Sequence, residues 1–172
     1  MSGARFSRDR TWRYRLWRQW GDGPTIAWIG LNPSTADAAH NDPTIRRCIG
    51  FSRDWGYGGL QVVNLFAFCA TKPPDLWRQP PKVRAGPGWA AAFWAAIRRS
   101  DRVVCCWGSF HRAPAADRRQ AEARAATVVQ RLRKRGVPLV HLGLTRTGQP
   151  RHPLYRPASQ KAIPWTSGEQ EG

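Results

Sequence analysis

TIAWIGLNPSTADAAHNDP, residues 25–43, joins a short apolar run to a cluster of turn formers. Thr25 to Leu31 is apolar and rich in β-branched residues, the pattern of a strand buried on both faces. It ends in Gly30-Leu31-Asn32-Pro33-Ser34, whose residue types favour a turn. In open α/β sheets, ligands bind at the carboxyl ends of such strands. Asn32, held between a buried strand and a rigid proline, would present its amide in one direction, as a reacting site requires. Taken alone, the stretch is explained more simply by an Asn-Pro pair opening a turn. The rest of the chain shifts that balance.

Working outward, Asp42-Pro43 has the form of a helix start, with Asp as the N-cap and Pro in the first turn. Ile45, Cys48, Ile49 and Trp55 follow at helical spacing, and Gly56-Tyr57-Gly58-Gly59 closes the helix. Leu60 to Phe68 reads as a second buried strand containing one polar residue, Asn64, whose amide needs partners if buried. It makes either a structural hydrogen bond near the strand end or a contact to a ligand. Residues 71–88 are rich in Pro and basic residues and read as a long loop. A short helix is expected from Trp89 to Arg99, a third strand from Arg102 to Gly108, a long helix from Pro114 to Arg135, and a fourth strand from Val137 to Leu142. Residues 143–157, a polar and basic loop carrying His152, follow.

On the other side, residues 1–10 read as a loose arm. From Thr11 the pattern alternates, with Trp12, Tyr14 and Leu16 facing one way and Arg13 and Arg15 the other. This predicts an N-terminal edge strand whose open-face arginines either meet phosphate or protect the edge. Strands and helices then alternate, so the expected architecture is a three-layer α/β/α sandwich. Its central sheet is four-stranded and mostly parallel, with the N-terminal edge strand added. Residues 11–157 form one domain, and residues 1–10 and 158–172 are expected to be flexible. Right-handed crossovers bring the ends of the four strands to one edge, where Asn32, Asn64, Gly108 and the His152 loop converge.

The chain has 172 residues, with 28 Lys and Arg against 11 Asp and Glu, for a net charge of +17. Codon bias can favour Arg over Lys, but it does not account for the scarcity of acids. A polyanionic partner, nucleic acid, is therefore expected. Cys48, Cys69, Cys105 and Cys106 lack metal-ligand or disulfide spacing. No apolar run approaches membrane-spanning length. A metal-free, cofactor-free, cytoplasmic monomer is the expectation.

The segments LNPSTAD (31–37), NDPTIRRC (41–48), WGYGGLQVVNLFA (55–67), WG (107–108) and GQPRHPLY (148–155) resemble the bacterial domain-of-unknown-function family numbered 1643. That resemblance brings no activity with it. The order Gly-hydrophobic-Asn-Pro, an Asn at a strand end, a strand ending in Gly, then His-Pro is similar to the uracil-DNA glycosylase superfamily. The similarity implies a DNA glycosylase that flips a damaged or modified base, a pyrimidine, out of DNA. Its setting would be base-excision repair or defence against phage DNA.

Under this resemblance, Gly30, Asn32, Pro33 and Ser34 correspond to the first motif, with Asn32 positioning the attacking water. Asn64 would read the base. His152 would stabilise the departing base, and Leu154, Tyr155 or Arg156 would enter the duplex. Ser34 stands where many relatives have Gly, and His152-Pro153 continues as Leu-Tyr rather than Ser-Pro, so plain uracil is not implied as the substrate.

The chemistry agrees with these residue types. Breaking an N-glycosidic bond needs an oriented water and donors to the departing base. Asn32 can orient water, His152 can donate, and the amide of Asn64 can both donate and accept. Arg146, Arg151 and Arg156 would contact phosphate and help offset the cost of unstacking the base. Phe66 or Phe68 is a candidate stacking platform, with core packing the simpler fate of at least one of them. Asp37 is a candidate base, and so is Asp42, for which helix capping is the simpler role. A non-catalytic nucleic-acid-binding module and a nucleoside or nucleotide hydrolase remain the alternatives.

Overall fold

The computed structural model describes residues 1–166. Its strands are β1 (Ser2–Phe6), β2 (Arg13–Gln19), β3 (Thr25–Gly30), β4 (Gly59–Asn64), β5 (Arg102–Cys105), β6 (Leu139–His141) and β7 (Ile163–Pro164). They form one mixed seven-stranded sheet in the order β1-β2-β4-β3-β5-β6-β7. The inner strands β4, β3, β5 and β6 run parallel, and β1, β2 and β7 join antiparallel. The helices are α1 (Pro43–Asp54), α2 (Pro73–Trp77), α3 (Pro81–Ala85), α4 (Trp89–Ile97) and α5 (Ala115–Lys134). No helix among the described residues is long and apolar enough to cross a membrane.

Alternation along β3 explains the layering. Ala27 and Ile29 pack with Phe93 of α4 and with Ala125, Val128 and Leu132 of α5. Ile26 and Trp28 pack in a separate cluster with Ile45, Cys48 and Phe51 of α1. A strand whose successive side chains enter two apolar layers has no polar alternation, which is why it reads as a continuous apolar run. Trp28 stacks on Phe51 and Trp55 with centroids 6.1 and 5.7 Å away, and its indole N–H donates to Ser52 Oγ at 2.9 Å.

The α1 start is as expected: Asp42 Oδ1 accepts the Ile45 N–H at 2.8 Å, with Pro43 in the first turn. Gly56, at φ 83°, follows the helix in the left-handed region that favours glycine.

Four expectations are corrected. Residues 1–10 are not a loose arm, because β1 pairs along β2 and is itself the sheet edge. Its Gly3 lets the Trp17 ring lie so close that a Cβ would fall 2.2 Å from the ring. Consequently β2 is an interior strand, and Arg13 is 3% exposed rather than open to solvent. Residues 71–88 hold α2 and α3 rather than an unstructured loop. Arg84 fastens them by pairing with Asp117 at 2.7 Å and donating to Gln79 O and Trp77 O. The expected C-terminal tail begins too early, since β7 pairs with β6 and Trp165 is buried. The remainder of that expectation, residues 167–172, lies outside the described residues.

Candidate functional site

The carboxyl ends of β3, β4 and β5 open onto a cleft of about 680 Å³. One wall is the start of α1, and another is the 3₁₀ turn Pro153–Tyr155 with the loop before it. Gly30, Asn32, Ser34, Asn64, Arg151, His152, Leu154 and Tyr155 all line it. Residues spread over more than a hundred positions of the chain thus meet in one cavity because parallel strands end on the same side of the sheet.

Each polar group has a definite presentation. The Asn32 amide nitrogen donates to Pro33 O at 2.9 Å and Ala70 O at 2.8 Å. Two carbonyl acceptors fix the nitrogen's place, so Oδ1 is the atom available to a water or ligand. Asn64 is 7% exposed, and no side-chain hydrogen bond engages it among the described residues, while its backbone oxygen accepts the Trp89 indole N–H at 2.8 Å. An amide so placed is open to a ligand that satisfies it.

Gly30 is paired with Asn64 across the β3–β4 ladder, and a Cβ at position 30 would lie 2.8 Å from Asn64 Nδ2. The obstructing atom ends a side chain that can swing away, so Gly30→Ala should displace the Asn64 amide at little cost in stability. The expected result is a melting temperature within a few degrees of wild type and weakened binding of any ligand that engages the Asn64 amide. Unchanged ligand binding in this variant would show that the amide's position does not matter.

His152 packs beside Gly108 of the loop after β5, which stands at φ 76° and whose N–H donates to Pro150 O at 2.9 Å. Its Nδ1 accepts the Leu154 N–H at 3.3 Å, which leaves Nε2 to carry the proton of the neutral ring. Burial lowers the pKa of His152, and nearby Asp42 partly opposes the shift. The ring is therefore neutral at physiological pH and acts as a donor through Nε2. Leu154 and Tyr155 are 39% and 82% exposed; apart from Met1, they are the exposed large apolar side chains among the described residues.

Other candidates fall elsewhere. Asp37 does not line the cleft: its carboxylate accepts the Ala39 and His40 N–H groups at 2.9 and 2.8 Å. Those backbone bonds lower its pKa to about 2, a poor value for a general base. Asp42 lines the cleft while also capping α1.

Phe66 is buried in the core on the α5 side, edge-on to Trp77 at 5.9 Å and beneath Arg124. Phe68 lines a separate groove formed by residues 68–79. Neither aromatic is a platform in the cleft, because residues 65–68 lie beyond the end of β4 and follow a different path from a continued strand. Pro33 is buried behind the cleft, where its carbonyl accepts the Ala70 N–H at 2.9 Å. Arg146 is exposed on the 145–148 turn, outside the cleft lining. Arg156 turns to Gln160, with its Nε at 3.1 Å from Oε1.

Arg13, expected on the open face of an edge strand, lines the cleft, and so do Ser109, His111 and Arg112, which carry no expectation from sequence. The last three follow Gly108 at a strand's carboxyl end, so the strand-end rule applied to β5 would have found them. Arg13 carried no such signal. It is enclosed because the segment after β3 folds over it, with Ala36 O accepting from its Nη1 at 2.7 Å.

This is a mixed α/β protein with a largely apolar cleft, carrying a few polar and charged side chains, at the carboxyl ends of its parallel strands. The chain belongs to the family described as Protein of unknown function (DUF1643), which it matches over residues 13–154. No curated protein and no solved structure matches it.

Proposed function

We propose that the protein is a DNA glycosylase on a uracil-DNA glycosylase-like fold. It would hydrolyse the N-glycosidic bond of a damaged or modified pyrimidine in repair or in defence against phage DNA. The observation that carries this reading is the meeting of Asn32, Asn64 and His152 in one cleft, each from a different strand end or loop. Asn32 Oδ1 orients a water toward the sugar carbon, and Asn64 reads the base edge. The neutral His152 donates to a base oxygen through Nε2. The water oxygen bonds to the sugar carbon, and the glycosidic electron pair leaves on the base. Asp42, the one carboxylate among the described residues that line the cleft, is available to take the water's proton.

Two further features support a polymeric substrate over a free nucleotide. Leu154 and Tyr155 stand exposed beside the cleft, where apolar side chains can fill the gap left in a base stack. The whole chain carries a net charge of +17, and Arg112 and Arg151 stand exposed where they line the cleft.

The test is base release from single- and double-stranded oligonucleotides carrying uracil, hypoxanthine, alkylated bases and hydroxymethylated or glucosylated cytosine. Alkali-labile sites that vanish in Asn32→Ala and His152→Ala are expected. The rate should hold through neutral pH and fall on the acid side, below the ordinary histidine range, as protonation of Nδ1 breaks its bond to the Leu154 N–H. His152→Gln, which keeps a donor without titrating there, should remove that acid limb. Salt-sensitive DNA binding without release from any substrate would instead favour a binding module. Turnover confined to free nucleosides or nucleotides would favour the small-molecule hydrolase.

A further inference from the structure

Arg13 is the unusual charge in the cleft. It is 3% exposed, forms no ion pair within 4 Å among the described residues, and donates one hydrogen bond, from Nη1 to Ala36 O. Its Nε is buried without an acceptor. Arg18 and Arg84, the other deeply buried arginines, are each held by several acceptors. A guanidinium stays charged in a protein, and an enclosed charge without a counter-ion is costly. Burial is the largest effect on Arg13 and lowers its pKa; nearby Asp42 favours the charged form and Arg18 opposes it, while the Cys69 thiol, whose own pKa burial raises, carries no charge at neutral pH.

The cleft's other cations are differently placed. Arg112 and Arg151 are exposed and hence screened by water and salt, and Arg151 is engaged with Leu144 O at 2.9 Å. His152 is a neutral donor. If the bond-breaking step is the one described above, negative charge develops on the base in a cavity whose enclosed permanent positive charge is Arg13.

We propose that Arg13 receives the negative charge of the departing base, donating hydrogen bonds from its unengaged N–H groups to the base oxygen that becomes anionic. The ligand class it selects is a heterocycle that presents, or develops, an oxyanion. No proton leaves Arg13: the glycosidic electron pair moves onto the base ring and its oxygen, and the base is later protonated by water. This rests on the glycosylase reading for its catalytic part, while the anion site can be tested without turnover.

The experiment uses the full chain and follows quenching of tryptophan fluorescence, since Trp28, Trp77 and Trp107 line the cleft. The probes are 5-nitrouracil, an anion at neutral pH, and thymine, which is neutral. Wild type should bind the anion about tenfold or more tightly than thymine, and Arg13→Met should lose that preference while Arg13→Lys keeps part of it. Equal affinity of wild type and Arg13→Met for 5-nitrouracil overturns the proposal.

Should Arg13→Met fail to fold, the wild-type pH series decides. Affinity for the anion that stays level between about pH 6.5 and 9 supports Arg13, which does not titrate there. Affinity that climbs as the pH falls through that range assigns the charge to His152 and overturns the proposal. On any substrate that is turned over, Arg13→Met should slow release of an ordinary base about a hundredfold and an electron-poor base far less. Equal slowing of both would also overturn it. An Arg13-dependent anion preference in a protein that releases no base sinks the glycosylase reading alone.

Discussion

On the proposed glycosylase reading, Asn64→Ala should lower base release by about a thousandfold while leaving the melting temperature unchanged or slightly raised. The two halves of this result have one cause. The Asn64 side chain is nearly enclosed and makes no hydrogen bond among the described residues. Removing an unpartnered amide costs the fold nothing in hydrogen bonding, and it relieves a group that gains little from its surroundings. A bound base that satisfied the amide would lose both a donor and an acceptor, and sites built on such bonds discriminate strongly. Asn64→Asp should also be inactive, because a carboxylate only accepts and would repel a base leaving as an anion. Single-turnover release from the best substrate of the panel, with calorimetry of each variant, checks this. Release by Asn64→Ala within tenfold of wild type would remove Asn64 from the site.

Trp28→Ala tests the fold where it carries the cleft. Trp28 is fully buried, stacks on Phe51 and Trp55, donates to Ser52 Oγ, and forms part of the cleft lining. Truncating a buried Trp costs about 3–5 kcal/mol, and here it also leaves the Ser52 hydroxyl without that donor. Against a typical total of about 5–15 kcal/mol, the loss should lower the melting temperature by about 10 °C or more and could prevent folding at 37 °C. Trp55→Ala, at a half-buried member of the same stack, should cost clearly less. Thermal melts followed by circular dichroism give the comparison. Equal effects would show that the stack, rather than burial at the sheet, holds this region.

The site was legible wherever local pattern and topology act together. Asn32, Asn64 and His152 could be brought together from sequence because right-handed crossovers between parallel strands leave little freedom in where those strands end. The Asp42 cap and the α1 start were legible because capping is local chemistry. Phe66 packs in the core, the simpler fate expected of one of the two aromatics, and Phe68 lies outside the cleft; an apolar run does not mark where a strand stops, and pairing of β3 with β4 ends at Asn64. Asp37 was misread because a carboxylate near a site in sequence can be consumed by its own backbone, as the Ala39 and His40 N–H groups do here.

Local pattern along the chain accounts for the alternation of buried strands and helices, the parallel arrangement of the inner strands and the edge at which the polar residues meet. The sequence by itself also determined the membership shown over residues 13–154. Tertiary structure decided which side chains that edge encloses. Arg13 alternates with Trp12 and Tyr14 like any open-face residue, and only β1 on one side of β2 and the 33–42 segment above it make it a buried charge. Burial of a polar group depends on what packs over it from elsewhere in the chain, and periodicity along one strand carries no record of that.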